Sequence, residues 1–275
     1  MKNRSTVAPF GLWMLLFTLV PLGIIVYFAG TGEDGGFTLA NVGRIFDPIY
    51  ARSFGYSILV GAVSTFGCLV LAYPIAFSIS RCSERIQRTL VMLVMLPMWM
   101  NSLLRLIALS SFFGEKGYIN WFLGLFGCNI GSLLGTNFAI IWGMIYDFLP
   151  FMILPLYSVM TKIDSRTIEA AQDLGANGAQ VLFRVVLPLS VPGIVSGITM
   201  VFVPSVSSFL VTEILGGAQI PTMIGKYIEQ LFKGTAPNYH VGAALSLVLM
   251  VLMLICMAVT NLVDHDDDEL GGMMA

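Results

Sequence analysis

Six long apolar stretches constrain this chain more than any other feature. They run over about residues 10–29, 55–80, 89–113, 137–160, 192–214 and 242–263. Each is long enough to cross a hydrocarbon layer, which takes about 20 apolar residues as a helix. That layer holds no water, so a crossing segment must satisfy its own backbone N–H and C=O groups, as a helix does. A membrane β-barrel would show short alternating segments in place of continuous runs. Composition agrees: 11% of residues are charged, against about 25% in an ordinary soluble domain, and mean hydropathy is +0.85. A soluble fold of this length would still need a wet surface. The expected fold class is therefore all-α integral membrane with six transmembrane helices, a single domain over 1–275 whose main partner is the lipid bilayer.

Polar punctuation sets the ends of the runs. The first closes at Thr31-Gly32-Glu33-Asp34-Gly35-Gly36, a glycine-rich turn. It follows Lys2 and Arg4 but is too long for a signal-peptide core and shows no clear small-residue cleavage site, so it reads as a retained span. Lys2, Arg4, Arg81, Arg85, Arg88, Lys162, Arg166 and Arg184 fall on one side; Arg44, Arg52, Lys116, Lys226 and Lys233 fall on the other, and Arg105 lies within a span. The richer side is the cytoplasmic one, which puts both termini in the cytoplasm. On the outer side, Met223, Ile224, Tyr227, Ile228, Leu231 and Phe232 share one face of a short helix. The expectation is a helix lying on the membrane surface, with a gate-lining element as the alternative.

Several chemistries are disfavoured. Cys68, Cys82, Cys128 and Cys256 are scattered singly, which fits neither a disulfide framework nor a metal cluster. His265 stands alone in the acidic stretch Asp264–Glu269, which reads as solvated charge. The 16 methionines fit adaptable helix packing. Gly225-Lys226 is followed by Tyr227 where a phosphate-binding loop needs Ser or Thr, and Ile220 stands in place of its first glycine. No catalytic constellation, metal site, bound cofactor or nucleic-acid partner is expected.

The inner connection at about 161–191 is far longer than a helix hairpin needs. Asp164 or Ser165 can cap a helix, Ala170, Ala171, Gln172 and Leu174 favour one, and Gly175 can end it in the left-handed conformation. A second helix over about 179–187 then runs to Pro188, where a break is expected. The result is a projection whose small apolar surface can enter a groove on another protein. Glu169 lies at its rim, available to a basic partner group.

Glu169-Ala170-Ala171, three residues, Gly175, nine residues and Val185-Val186-Leu187-Pro188 resemble the EAA motif of permease subunits of bacterial ABC importers, with Val185 where isoleucine is usual. The resemblance implies the six-helix MetI-like permease fold in the bacterial inner membrane. It implies that residues 164–188, through Glu169, Ala170, Ala171, Leu174, Gly175, Leu187 and Pro188, form a coupling helix docked on an ATP-binding subunit. It also implies a second homologous permease subunit, two ATP-binding subunits that hold ATP and Mg, and an extracytoplasmic substrate-binding protein. Trp99–Arg105, Lys116–Asn120, Leu149–Tyr157 and Gly216-Gly217-Ala218 resemble spermidine/putrescine permeases of the PotB type. An importer of iron, thiamine, phosphonate or another small solute is the alternative. A stand-alone channel or secondary transporter is disfavoured by the lack of an obvious inverted repeat, and a membrane scaffold without transport is a further alternative.

Ionisable groups within spans are costly and call for a reason. Asp147 lies about 15 Å into the fourth span at ~1.5 Å per residue, and Glu213 at the outer end of the fifth. With Trp99, Tyr146 and Phe209 as aromatic faces, they could line a path for a polycation. Alternatively, Asp147 pairs with Arg105 across neighbouring helices, Glu213 reaches interfacial water and the aromatics only pack.

Overall fold

The computed structural model describes residues 4–32, 35–127, 131–217, 220–235 and 237–273, with side chains described between residues 11 and 260. Lys2, Cys128 and Ala218, Glu33-Asp34 and the side chains of the acidic stretch 264–269 lie outside the described residues. Among the described residues the only β-type pairing is an isolated bridge between Thr31 and Phe37. The rest is helix and loop.

The chain opens with α1 (Arg4–Gly30), a short α2 (Ala40–Gly43) and α3 (Pro48–Ser80). Then come α4 (Glu84–Trp99), α5 (Ser102–Phe113), α6 (Tyr118–Gly124) and α7 (Asn137–Met160). The inner connection forms α8 (Ser165–Asp173), α9 (Gly178–Val181), a π-turn at Leu182–Val186 and α10 (Leu187–Leu189). The chain ends with α11 (Val191–Ser207), α12 (Leu210–Leu215), α13 (Ile224–Lys233) and α14 (Tyr239–Met273).

Among the described residues, four stretches are long and apolar enough to cross alone: Gly11–Gly30, Pro48–Ser80, Asn137–Met160 and Tyr239–Thr260. Two bent pairs, Glu84–Trp99 with Ser102–Gly124 and Gly178–Leu189 with Val191–Ser207, make six crossings if each pair counts as one. The third expected span, 89–113, is therefore no straight rod; its halves meet at 92°. Pro97 sits in the last turn of α4, Met100 is extended, and the Asn101 side chain accepts from the Leu103 N–H to start α5 afresh. The fifth, expected over 192–214, stops at extended Ser208 and resumes as α12. Pro188 does not itself end the helix, because the π-turn at Leu182–Val186 and α10 run on as one helical stretch through it to Leu189. The turn comes at Ser190, and α11 leaves at 71°.

The core is α3 against α7, with α11 across both. Cys68, Ala72, Tyr73 and Ala76 of α3 meet Ile145, Met152, Ile153 and Leu156 of α7 and Val201 of α11. Between apolar helices in lipid, close van der Waals packing replaces the hydrophobic drive, and small residues permit it. A Cβ on Gly143 of α7 would run into Leu215, and one on Gly193 of α11 would stand 3.1 Å from the Pro155 carbonyl oxygen. By contrast α1 leans on α14 through Ala29, Ala243 and Ala244, and Leu12, Trp13, Leu15 and Phe17 stay exposed. Those residues suit lipid as their solvent.

The outer amphipathic helix departs from its expected place on the membrane surface. Ile224, Tyr227, Ile228 and Leu231 of α13 pack against Phe54 of α3 and Val241, Leu245 and Leu249 of α14. An apolar face gains as much from a protein groove as from acyl chains, and here the groove is present.

Candidate functional site

The projection is built by its own local chemistry. The Asp164 carboxylate accepts from the Arg166 N–H at 3.0 Å and starts α8. At the far end the Ala176 N–H donates to the Ala171 carbonyl and the Gly175 N–H to the Gln172 carbonyl, a Schellman closure that needs a left-handed residue. Gly175 supplies it with φ +85°. Asn177 and Gln180 then exchange side-chain and backbone hydrogen bonds, both 2.9 Å, to start α9.

The motif residues take distinct positions. Glu169, Ala170, Gly175 and Pro188 are exposed and Ala171 is half-buried. Leu174 is 90% exposed, extreme for a leucine with nothing of this chain over it. Ala171, Leu174 and Gly175 border a cleft of about 370 Å³ together with Gln180, Arg184 and Val185. Leu187 and Pro188 lie outside that cleft, on the path back to the membrane at Ser190. The tip thus carries acid at Glu169, a bare apolar knob at Leu174 and a cation at Arg184, with no ion pair to any of them among the described residues.

Both roots of the projection are fixed to α3, by residues that were not singled out in the sequence. Arg81 follows the last turn of α3 and donates to the carbonyls of Met160 (3.2 Å) and Ile163 (3.4 Å) and to the Ser165 hydroxyl (3.4 Å). Those groups end α7 and begin α8, where orphan carbonyls attract a cation. The guanidinium also lies 5.6 Å from the Phe77 ring centroid, and burial pulls its pKa below the usual value. At the other root the Tyr73 and Ser190 hydroxyls are 3.0 Å apart. Ser190 donates to the Leu187 carbonyl at 3.0 Å, which leaves Tyr73 as the donor between them. Only the charge of Arg81 and the aromatic ring of Tyr73 are visible in the sequence, since the partners are 79 and 117 residues away.

The residues expected along a cargo path do not form one cluster. Asp147 is 8% exposed and its Oδ1 lies 2.5 Å from Nη2 of Arg105, itself 6% exposed. Asp147 is thus paired with Arg105. Arg105 Nε and Nη1 are buried with no hydrogen-bond partner among the described residues. Glu213 pairs with Lys226 of α13 at 2.9 Å and keeps 57% of its side chain exposed. Trp99 is 77% exposed at the α4–α5 break. Tyr146 is exposed on α7 in line with Phe138 and Trp142, and the latter two rings stack at 6.1 Å. Phe209 instead borders a lateral groove between α11, α13 and α14. The Gly216-Gly217 pair proves to be a packing device, because a Cβ on Gly217 would stand 2.8 Å from the Gly135 Cα. No group of three His, Cys, Asp or Glu residues suited to a metal occurs among the described residues.

The sequence profile described as binding-protein-dependent transport system inner membrane component matches residues 68–266. The spermidine/putrescine transport system permease protein PotB of Haemophilus influenzae is 38% identical over 260 residues, 91% of this chain and 90% of that one. The protein of the same name from Escherichia coli K12 is 36% identical over 250 residues, 88% and 90% of the two chains. Among solved structures, a chain of a bacterial ABC transporter that imports the acidic polysaccharide alginate superposes with a TM-score of 0.79 at 18% identity, over 95% and 94% of the chains. A chain of the inward-facing methionine transporter MetNI gives 0.56 at 19%, over 79% and 95%.

Proposed function

This chain belongs to the family of inner membrane components of binding-protein-dependent transport systems, and we propose that within it the chain is one permease half of an ATP-driven polyamine importer. One observation carries the reading: the projection at 164–188, with the family's motif on it and Leu174 90% exposed at its tip. A bare leucine at the end of a capped, rigid projection suits a groove on another protein. The partner is a nucleotide-binding subunit, since this chain lacks a phosphate-binding loop. That subunit would hold ATP and Mg and supply the hydrolysis; this chain contributes shape, contact and movement.

Two such subunits, a second homologous permease and a binding protein outside complete the assembly. Both termini then lie in the cytoplasm, on the side of Arg81, Arg85 and Arg88. Nucleotide-driven closure would draw the projections together and open the cavity between the two permeases to the outside, the alternating-access cycle.

Spermidine and putrescine as cargo are supported by the names of the 36–38% identical relatives. They are supported physically by the exposed aromatic faces of Trp99 and Tyr146, which attract a polycation. The test is ATP-dependent uptake of radiolabelled spermidine and putrescine by the whole complex in liposomes. Saturable uptake that stops without ATP or binding protein supports the reading. Uptake of neither amine by a complex that hydrolyses ATP overturns the cargo and leaves the permease role standing.

A further inference from the structure

We propose that α3 is the transmission rod of this permease, clamped to both roots of the projection and carrying its displacement to the outer helix α13. The inference rests on the reading of 164–188 as the contact with the nucleotide-binding subunit. It adds the route by which movement leaves that contact.

At the cytoplasmic end, Arg81 ties α3 to the entry root through Met160, Ile163 and Ser165. Tyr73 ties it to the exit root through Ser190, a pair of hydroxyls buried to 9% and 0% exposure. Between the two clamps stands Pro74, inside α3. Its missing N–H leaves the Val70 carbonyl without its helix donor and loosens the turn 70–74, which carries Tyr73. A clamp at Arg81 alone would let that turn absorb a displacement. The second clamp, at Tyr73, holds the turn itself to the exit root, so a displacement enters α3 through two attachments.

At the outer end the same helix holds α13. The Ser57 hydroxyl, fully buried, accepts from the Ile224 N–H at 2.8 Å. That N–H stands at the start of α13, where no intrahelical acceptor exists for it. From Ser57 to Arg81 is about 36 Å of helix at ~1.5 Å per residue. Lys226 of α13 in turn holds Glu213 of α12 at 2.9 Å. One helix therefore joins the motor-facing roots to the element bearing the exposed carboxylate. Coupling over such a span needs an element that shifts as a unit between two arrangements, and α3 has specific polar attachments at both ends.

The test uses the whole complex in nanodiscs, with Cys82, Cys128 and Cys256 replaced by serine and spin labels introduced in pairs. One pair joins Leu19 on α1 to Thr167 on α8; the other joins Leu19 to Gln230 on α13. Distances are read with and without vanadate-trapped nucleotide. In the unsubstituted complex both are expected to shift. With Arg81→Ala and Tyr73→Phe together, the Thr167 shift is expected to persist and the Gln230 shift to fall below half. Uptake per ATP hydrolysed is expected to fall about tenfold, and Arg81→Lys, which cannot span three acceptors, lies between. If the double variant fails to assemble, Tyr73→Phe and Ser57→Ala, each removing one oxygen, carry the same comparison. A Gln230 shift that survives these substitutions overturns the rod. A Thr167 label that ignores nucleotide in the unsubstituted complex overturns instead the docking reading beneath it.

Discussion

Replacing Asp147 by asparagine isolates the energetics of the buried Arg105–Asp147 pair. The substitution keeps the side-chain shape and removes the charge that faces Arg105 Nη2 at 2.5 Å. Two opposing terms set the magnitude. Each charge costs about 2.5–3.5 kcal/mol at mid-span, so the pair together opposes insertion by about 5–7 kcal/mol. Their attraction, taken at ~4 Å between charge centres and an effective dielectric of ~20, returns about 4 kcal/mol. The intact pair is therefore a net cost of about 1–3 kcal/mol, whereas removing one partner leaves the full cost of the other. With Arg105 Nε and Nη1 already lacking partners among the described residues, the asparagine variant would hold an uncompensated guanidinium.

The expected loss is about 3–5 kcal/mol for Asp147→Asn, for Asp147→Leu or for Arg105→Met alone. The apolar pair Arg105→Met with Asp147→Leu is expected within about 1 kcal/mol of the parent or above it. The assay is a double-mutant cycle on denaturant unfolding of the intact complex in bicelles, read by a dye on this chain. A coupling energy of at least ~5 kcal/mol follows from those values. Single variants that lose under about 1 kcal/mol, or an apolar pair as damaging as either single change, refute the reasoning. Uptake supplies a separate check: the apolar pair is expected to transport, and a stable complex that does not would place Asp147 in contact with cargo.

Other outcomes follow from the same geometry. Glu169→Lys is expected to lower ATP-driven uptake at least about tenfold, ~1.4 kcal/mol, without changing the melting of the isolated permease pair; uptake in liposomes reads it. Leu174→Asp exposes a carboxylate where a leucine would be buried on docking, and is expected to weaken binding of the nucleotide-binding subunit by roughly 1.5–3 kcal/mol, measured by titration of that subunit. Gly175→Val forces a β-branched residue to φ +85°; a loss of at least about 1–2 kcal/mol should appear as faster amide exchange over 165–176. Gly143→Val drives a side chain into Leu215, and overpacking of about 1–3 kcal/mol should lower the thermal midpoint of the complex.

What could be read in the sequence was whatever a local pattern encodes. The apolar runs give α7 at both ends and the existence of α1, α3 and α14, because crossing length and hydropathy are properties of contiguous residues; those three helices run 6, 7 and 10 residues past the expected limits at one end, where polar residues continue the helix. The cap at Asp164 and the stop at Gly175 lie where local turn chemistry puts them. Even the face of α13 was correct as a pattern, since Ile224, Tyr227, Ile228 and Leu231 do share one side; only its partner, α14 in place of lipid, required the tertiary fold. The breaks at Met100-Asn101 and Ser208 escape a hydropathy reading because a few polar residues, Asn101 and Ser102 or Ser205, Ser207 and Ser208, lower the average of a long apolar run only slightly. Pro188 marks the break only approximately: the helical stretch runs through it to Leu189 and turns by 71° at Ser190.

Arg81 is the most instructive case. In the sequence it is one cation among several at a span end, a contribution to orientation. In the fold it gathers two carbonyls and a hydroxyl from α7 and α8, 79 to 84 residues away. A guanidinium presents five N–H donors in a planar fork, so one side chain can close a joint that a single amine could not. The same residue can serve both ends because the side where positive charge accumulates is also the side where the projection leaves the membrane. On the proposed reading, topology and transmission converge on one position: a charge that would keep the loop in the cytoplasm also binds the loop to α3.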